Sequence, residues 1–390
     1  MSWLLNLYET YEANADQIGK IEKKYNEQEY TLLPVAHTTQ NAHIEVTITE
    51  DGEFHTADVI DKDDASTLIP STEKSASRAG SVVAPYPLHD KLSYVAGDFK
   101  AYGGEFKKEN PYSAYIDNLH NWARSPNATA KVKSIYRYLS KGCLIQDLIQ
   151  HQILYVDKNN RLIDKWIKEQ HESLTGPKPA IFSVVAGGVE SAFIRFNVYS
   201  PREILTDVWK DPQMYESFLQ FYNQQLGDED LCYVTGELLP STERHANKIR
   251  NAADKAKLIS ANDTSGFTFR GRFQESREAA SISYEVSQKA HNALKWLINR
   301  QGKIIDQRVF LVWGNDDLDI PGLTEDLFTI SPGTAAVNNR IPSTSKEFAR
   351  EVAKALDGYR HNLSSKADVN ILILDSPTTG RMAVLYYRNV

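Results

Sequence analysis

Apolar positions in this chain recur with two different periods. From Ile44 to Thr49 apolar and polar residues alternate, Asp51-Gly52 supplies a turn, and Phe54 to Ile60 returns; this spacing predicts a β-hairpin. Elsewhere the period lengthens toward that of a helix. Ser2 to Tyr25 carries Leu4, Leu5, Tyr8 and Tyr11 on one side, and helices are predicted over about Pro111 to Ala123 and Ala128 to Ser140. In the last of these Val132, Ile135, Tyr136 and Leu139 form the apolar stripe. Further helices are predicted over Arg202 to Gln225 and Glu275 to Asn299, with Gly302 just beyond. Thr344 and Glu347 make a capping box for a helix to about Tyr359. Strands are predicted at Leu231 to Val234, ending in a Thr235-Gly236 turn, and at Arg308 to Trp313. A second hairpin is expected at Ile181 to Ala186 and Ala192 to Val198, turning at Gly187-Gly188. A closing hairpin is expected from Val369 to Leu374 and Met382 to Tyr387. The mixture predicts an α+β fold of antiparallel hairpins and sheets with packed helices, multi-lobed, without repeated βαβ units. Three regions are expected: 1–125, 126–230 and 231–390.

Composition adds limits. The 390 residues are 41% hydrophobic and 24% charged, as in an ordinary globular protein. The two cysteines, Cys143 and Cys232, have no Cys-x-x-Cys spacing, which argues for a reducing compartment. No apolar run approaches the ~20 residues of a membrane span, so no membrane is expected and the cytoplasm is the default location.

Charge changes the picture more. The chain has a net charge of −7, but Glu45 to Asp64 alone holds eight acids against Lys62. The remainder is neutral on balance and can carry basic faces. Arg244 to Arg272 contains Arg244, Lys248, Arg250, Lys255, Lys257, Arg270 and Arg272 against Asp254 and Asp263, a local +5. A basic, small-polar loop flanked by aromatics suits a polyanion, and equally a solvated connection. Lys131, Lys133, Arg137 and Lys141 make one cationic helix, which taken alone fits a solvated face. Lys74 to Ser81 is small, cationic and suited to a phosphate approaching the backbone. Thr38 to His43, read as a loop, contains Gln40 and Asn41, the residue types that pair with adenine.

Catalytic signatures are missing: no Walker A, no Rossmann glycine triplet, no His-Glu-x-x-His, no Gly-x-Ser-x-Gly. The acidic runs Asp61, Asp63, Asp64 and Asp316, Asp317, Asp319 imitate a two-metal nuclease but lack a partner His or Glu at a defensible spacing. No catalytic residue, metal ligand or cofactor is assigned.

Several stretches, taken in order, resemble the large subunit of the type I-C CRISPR surveillance complex. They are the Asp51-Gly52 hairpin, the cationic small-residue loop, and Pro85-Tyr-Pro-Leu88-His-Asp90-Lys-Leu-Ser-Tyr94-Val-Ala-Gly97. After these come Cys232-Tyr-Val-Thr-Gly236, the basic segment from His245 to Arg250, Ser260 to Phe269, a strand ending at Trp313, and Ile371 to Tyr387. The match corresponds to the family's N-terminal part, without the C-terminal helical bundle. The resemblance implies a non-enzymatic reader of a protospacer-adjacent motif in double-stranded target DNA. Such a subunit helps open the duplex and recruits the helicase-nuclease. Its other partners are the CRISPR RNA, backbone and small subunits, and guide pairing supplies the remaining specificity. On this reading Gln40, Asn41, Lys74, Arg78, Gly80, Ser81 and Lys91 read or wedge the motif. Lys131, Lys133, Arg137, Lys248, Arg250, Lys255, Lys257, Arg270 and Arg272 contact phosphates. A metal-dependent nuclease and a purely structural scaffold are the competing readings.

Overall fold

The computed structural model describes residues 2–24, 28–78, 82–106, 109–202, 205–251, 254–260, 265, 267, 269–314 and 369–389. The predicted Thr344 helix, the 316–319 acidic run, Gly80 and Ser81 lie outside these residues. The chain divides into two compact units, 34–226 and 1–33 together with 227–390. Strands and helices mix in both, an α+β fold.

The 34–226 unit is built on a four-stranded sheet in the order Phe54–Val59, Ile44–Thr49, Phe193–Tyr199, Asp90–Lys91. The predicted hairpin is present: Ile44–Thr49 pairs antiparallel with Phe54–Val59, and Gly52 turns with φ +76°. Alternation in Ile44–Thr49 buries Ile44, Val46 and Ile48 completely. The expected hairpin at 181–198 does not form. Ile181–Val184 is a single helical turn, and Phe193–Tyr199 runs parallel to Ile44–Thr49. Phe193 to Val198 is buried at every position, as a central strand covered on both faces requires. Thr38 to His43, expected as a loop, is largely strand: His37–Asn41 pairs with Ser66–Pro70. Helices Pro111–Arg124 and Ala130–Leu139 match their sequence prediction. The predicted Arg202 helix starts only at Pro212, where proline takes the first helical position and Asp211 caps it. Its Phe218 packs edge-on to Trp122, whose Nε1 donates to Ser217 Oγ at 3.1 Å.

In the other unit helix Trp3–Ala13 packs on helix Tyr284–Gln301. An antiparallel sheet follows in the order Lys303–Ile305, Arg308–Gly314, Val369–Thr378, Arg381–Asn389, so the closing hairpin is present. The N-terminal helix stops well short of Tyr25. Asn14 folds back on the Thr10 carbonyl, Gly19 takes φ +77°, and the chain reverses into strand Ile21–Lys23. The predicted Glu275 helix breaks into Ser276–Ala279 and Tyr284–Gln301. Between them the Ser281 and Ile282 carbonyls accept from Tyr233 N and Thr242 N, and Ser283 caps the longer helix. No helix among the described residues is long and apolar enough to cross a membrane.

Candidate nucleic-acid interface

In the 34–226 unit, three of the proposed motif readers, Gln40, Arg78 and Lys91, are tied to one carboxylate directly or through Tyr86. Thr72 and Ser75 form a capping box that starts the short helix Glu73–Ala76, and the chain leaves it at Arg78. The Arg78 guanidinium grips Asp90 through two parallel bonds of 2.8 Å. Asp90 also accepts from Tyr86 N at 2.8 Å and Lys91 N at 2.7 Å, and is fully buried. Arg78 lies over two rings, 4.4 Å from the centre of Tyr86 and 4.6 Å from Tyr94. Burial opposes its charge, but the hydrogen-bonded Asp90 outweighs this and raises its pKa. Gln40 Nε2 reaches the Tyr86 hydroxyl at 3.4 Å. Thus Gln40, Arg78 and Lys91 belong to one network, and Asn41 ends the strand that carries Gln40.

The network sorts these residues. Neighbours in a strand point to opposite faces; Gln40 is half-buried toward Tyr86, while Asn41 is exposed. Lys74 and Lys91 are exposed, with no side-chain partner among the described residues. Arg78, expected among the base readers, has its guanidinium engaged internally. Tyr86, Asp90 and Tyr94 were visible in sequence only as members of the Pro85 to Gly97 run.

The cationic helix Ala130–Leu139 is sorted in the same way. Lys131 is buried, donating to Asp211 and to the Leu205 carbonyl, each at 2.7 Å. Arg137 donates to the Asp51 carbonyl at 3.0 Å. Beyond the helix, Lys141 donates to the Gly52 carbonyl at 2.7 Å and pairs with Glu53. These residues seat the hairpin turn. A Cβ on Gly52 would stand 2.9 Å from both Arg137 Cβ and the Ser134 carbonyl oxygen. Lys133 is exposed. Sequence reasoning missed Arg195, which bridges Glu45, stacks 3.9 Å from the Trp209 ring centre, and gives no local signal.

In the other unit the basic stretch begins at a small hairpin, Glu229–Leu231 against Leu238–Pro240. Cys232 to Gly236, expected as a strand end, is its turn: Gly236 N donates to Cys232 O and Gly236 has φ +78°. Arg250, expected at phosphate, is closed on Asp254 through its backbone N, Nε and Nη2, while Nη1 donates to the carbonyls of Gln307 and Ser376. It fastens its segment to the sheet. Lys255 N and Ala256 N add bonds to Thr379 O. Arg270 donates to Ser265 O and lies over Phe267. Lys248, Lys255, Arg270 and Arg272 are exposed and Lys257 half-buried.

Asp61, Asp63 and Asp64 sit on an exposed helical turn. Among the described residues no group of three or more His, Cys, Asp or Glu is arranged to hold a metal ion.

The family model described as CRISPR-associated protein (Cas_Csd1) matches residues 7–390. No curated protein matches the chain. The chain therefore belongs to the CRISPR-associated Csd1 family, the large subunit of the type I-C surveillance complex.

Proposed function

We propose that this Csd1-family chain reads the protospacer-adjacent motif for its surveillance complex, using exposed residues on the segments fixed around Asp90. Asn41 is the base reader, and the exposed Lys74 and Lys91 contact phosphates or groove edges. Gln40 and Arg78 hold those segments through Tyr86 and the buried carboxylate. The observation that carries this reading is that network: it ties the end of the Gln40–Asn41 strand, the exit of the Lys74 helix and Lys91 to one rigid point. A base reader must be held this firmly, because paired hydrogen bonds to a base edge tolerate little misplacement.

Lys133, Arg137, Lys248, Lys255, Lys257, Arg270 and Arg272 supply phosphate contacts, which add affinity without sequence preference. Lys131 and Arg250 keep their internal partners. The subunit acts without enzymatic chemistry of its own, in the cytoplasm, beside guide RNA, backbone and small subunits. The duplex it opens is handed to the helicase-nuclease.

The test uses the assembled complex and duplexes that differ only in the motif. Asn41→Ala is expected to reduce discrimination between motifs while leaving the affinity for a non-cognate duplex unchanged. Equal affinity of the unsubstituted complex for every motif would favour the scaffold reading instead.

A further inference from the structure

Just before the central strand Phe193–Tyr199, the chain from Asp164 to Val189 folds into a small cleft. Helix Lys168–Thr175 and the helical turn Ile181–Val184 lie within it, and the turn Val189–Ser191 leads on into the strand. Val189 N donates to the Asp164 carbonyl at 3.2 Å and to Asp164 Oδ1 at 2.9 Å, which closes the segment on itself. The cleft measures about 400 Å³, part of it open to solvent. Asp164, Lys165, Trp166, Lys178 and Phe182 are among the residues that line it.

These residues differ in chemistry. Trp166 and Phe182, both half-buried, supply aromatic surface. The Trp166 ring is pinned by its Nε1, which donates to Thr175 Oγ1 at 3.0 Å. Asp164 supplies a carboxylate, and the Glu190 carboxyl stands against it. A Cβ on Gly188 would lie 2.1 Å from Asp164 Oδ1 and 2.0 Å from Glu190 Oε2, so those two oxygens are neighbours and only glycine leaves them the space. A hydrogen bond with Asp164, and burial second, raises the Glu190 pKa. Asp164 Oδ2 accepts from no donor among the described residues. Lys165 and Lys178 are exposed.

Such a cleft selects among planar ligands by their hydrogen-bonding edges. The pairing edge of guanine carries two adjacent donors, N1–H and N2–H. Adenine and cytosine set a donor beside an acceptor, and thymine sets one donor between two acceptors. Two neighbouring carboxyl groups accept from both guanine donors but meet an acceptor on each of the other bases. A guanidinium from a protein partner also offers two donors, but Lys165 and Lys178 repel it and attract the phosphates of a nucleotide.

We propose that this cleft is a site for one unpaired guanine of a nucleic-acid strand. The base lies against Trp166 and Phe182, donates to Asp164 and Glu190, and leaves its flanking phosphates to Lys165 and Lys178. Bases taken out of a stack are held in this way, by aromatic contact and hydrogen bonds to the pairing edge. The inference rests on the nucleic-acid reading for its biological ligand, but it concerns a single-stranded base and not the motif in the duplex.

The test is fluorescence anisotropy of the full chain with labelled octathymidylates whose central base is thymine, guanine, adenine or cytosine, and with the corresponding octauridylates. The guanine oligomer is expected to bind about tenfold more tightly than its three counterparts in at least one series, and that series identifies the strand as DNA or RNA. Free guanosine monophosphate, which lacks the flanking phosphates, is expected to compete only at far higher concentration. Asp164→Asn is expected to abolish the guanine preference. Gly188→Ala should reduce it without changing any charge, because the new Cβ pushes the carboxyl groups apart, and Lys178→Gln should weaken all oligomers alike. Equal affinity for every base in both series, or a preference that survives Asp164→Asn, overturns the site. So does failure of the surveillance complex to assemble with Asp164→Asn when no base preference exists, which would make the cleft a socket for a partner's arginine. Motif discrimination on duplexes by the assembled complex is expected to survive Asp164→Asn, so it judges the recognition reading separately.

Discussion

Arg78 in one unit and Lys295 in the other are both cations drawn away from water, and they are held in opposite ways. Arg78 has a buried carboxylate, two backbone-fixed contacts on that carboxylate and two aromatic faces. Lys295 has no ion-pair partner among the described residues, and burial first, then the charge of Lys248, lower its pKa to about 8. The first arrangement is complete in itself and therefore positions other groups. The second lacks a folded-in acid among the described residues, and its charge is correspondingly weakened. Counting basic residues in the two segments does not distinguish them; the decisive feature is whether an acid is folded in with the cation.

The comparison can be broken in several ways. The largest expected effect is with acid. His37 and His89 in the 34–226 unit are pushed by burial to about 4 and about 3, and His245 and His291 in the other unit to about 3 and about 4. Each stays neutral in the fold but is protonated when unfolded below its ordinary pKa near 6.5. The unfolded state therefore binds more protons between pH 6.5 and 4, and stability falls as pH falls through that window. Each histidine contributes up to about 1.4 kcal/mol per pH unit. Urea unfolding between pH 7 and 4.5 checks this, and both units are expected to weaken together.

Asp90→Ala comes next. It leaves Arg78 buried without its counter-ion, and about 3–5 kcal/mol of stability is expected to be lost. A loss under about 1 kcal/mol would mean that the network does not hold the proposed reading segments. Gly52→Ala should cost about 1–3 kcal/mol, because the left-handed turn strains any side chain and the new Cβ meets Arg137 and Ser134. The smallest effect belongs to exposed cations. Lys74→Ala is expected to leave the melting temperature unchanged and to reduce the salt slope of DNA binding by about 1.

How much of this was legible in the sequence follows from how far apart the partners lie. The Asp51-Gly52 hairpin and the closing hairpin were readable because turn and strands are contiguous. The strand Phe193–Tyr199 was visible as an apolar run, but its partner Ile44–Thr49 lies about 150 residues earlier and leaves no local trace. A neighbour was assigned instead, and the wrong hairpin resulted. The break at 280–283 was likewise hidden, since it is paid for by bonds from Tyr233 and Thr242. In the candidate site, the residue types at Gln40, Asn41 and Lys74 were legible as chemistry. That Arg78, Lys131 and Arg250 are held by Asp90, Asp211 and Asp254 was not, because an aspartate in a loop carries no sign of being buried.

The reading of the motif by Asn41 meets its most direct test in one ratio. The assembled complex is titrated with a cognate duplex and with a duplex changed only in the motif, for the unsubstituted chain and for Asn41→Ala. A lost base contact of about 1–3 kcal/mol corresponds to a fall in the affinity ratio of roughly 5- to 150-fold. The expected result is that fall, with binding to the changed duplex unaffected. An unaltered ratio in Asn41→Ala, or equal losses on both duplexes, would contradict motif reading by Asn41.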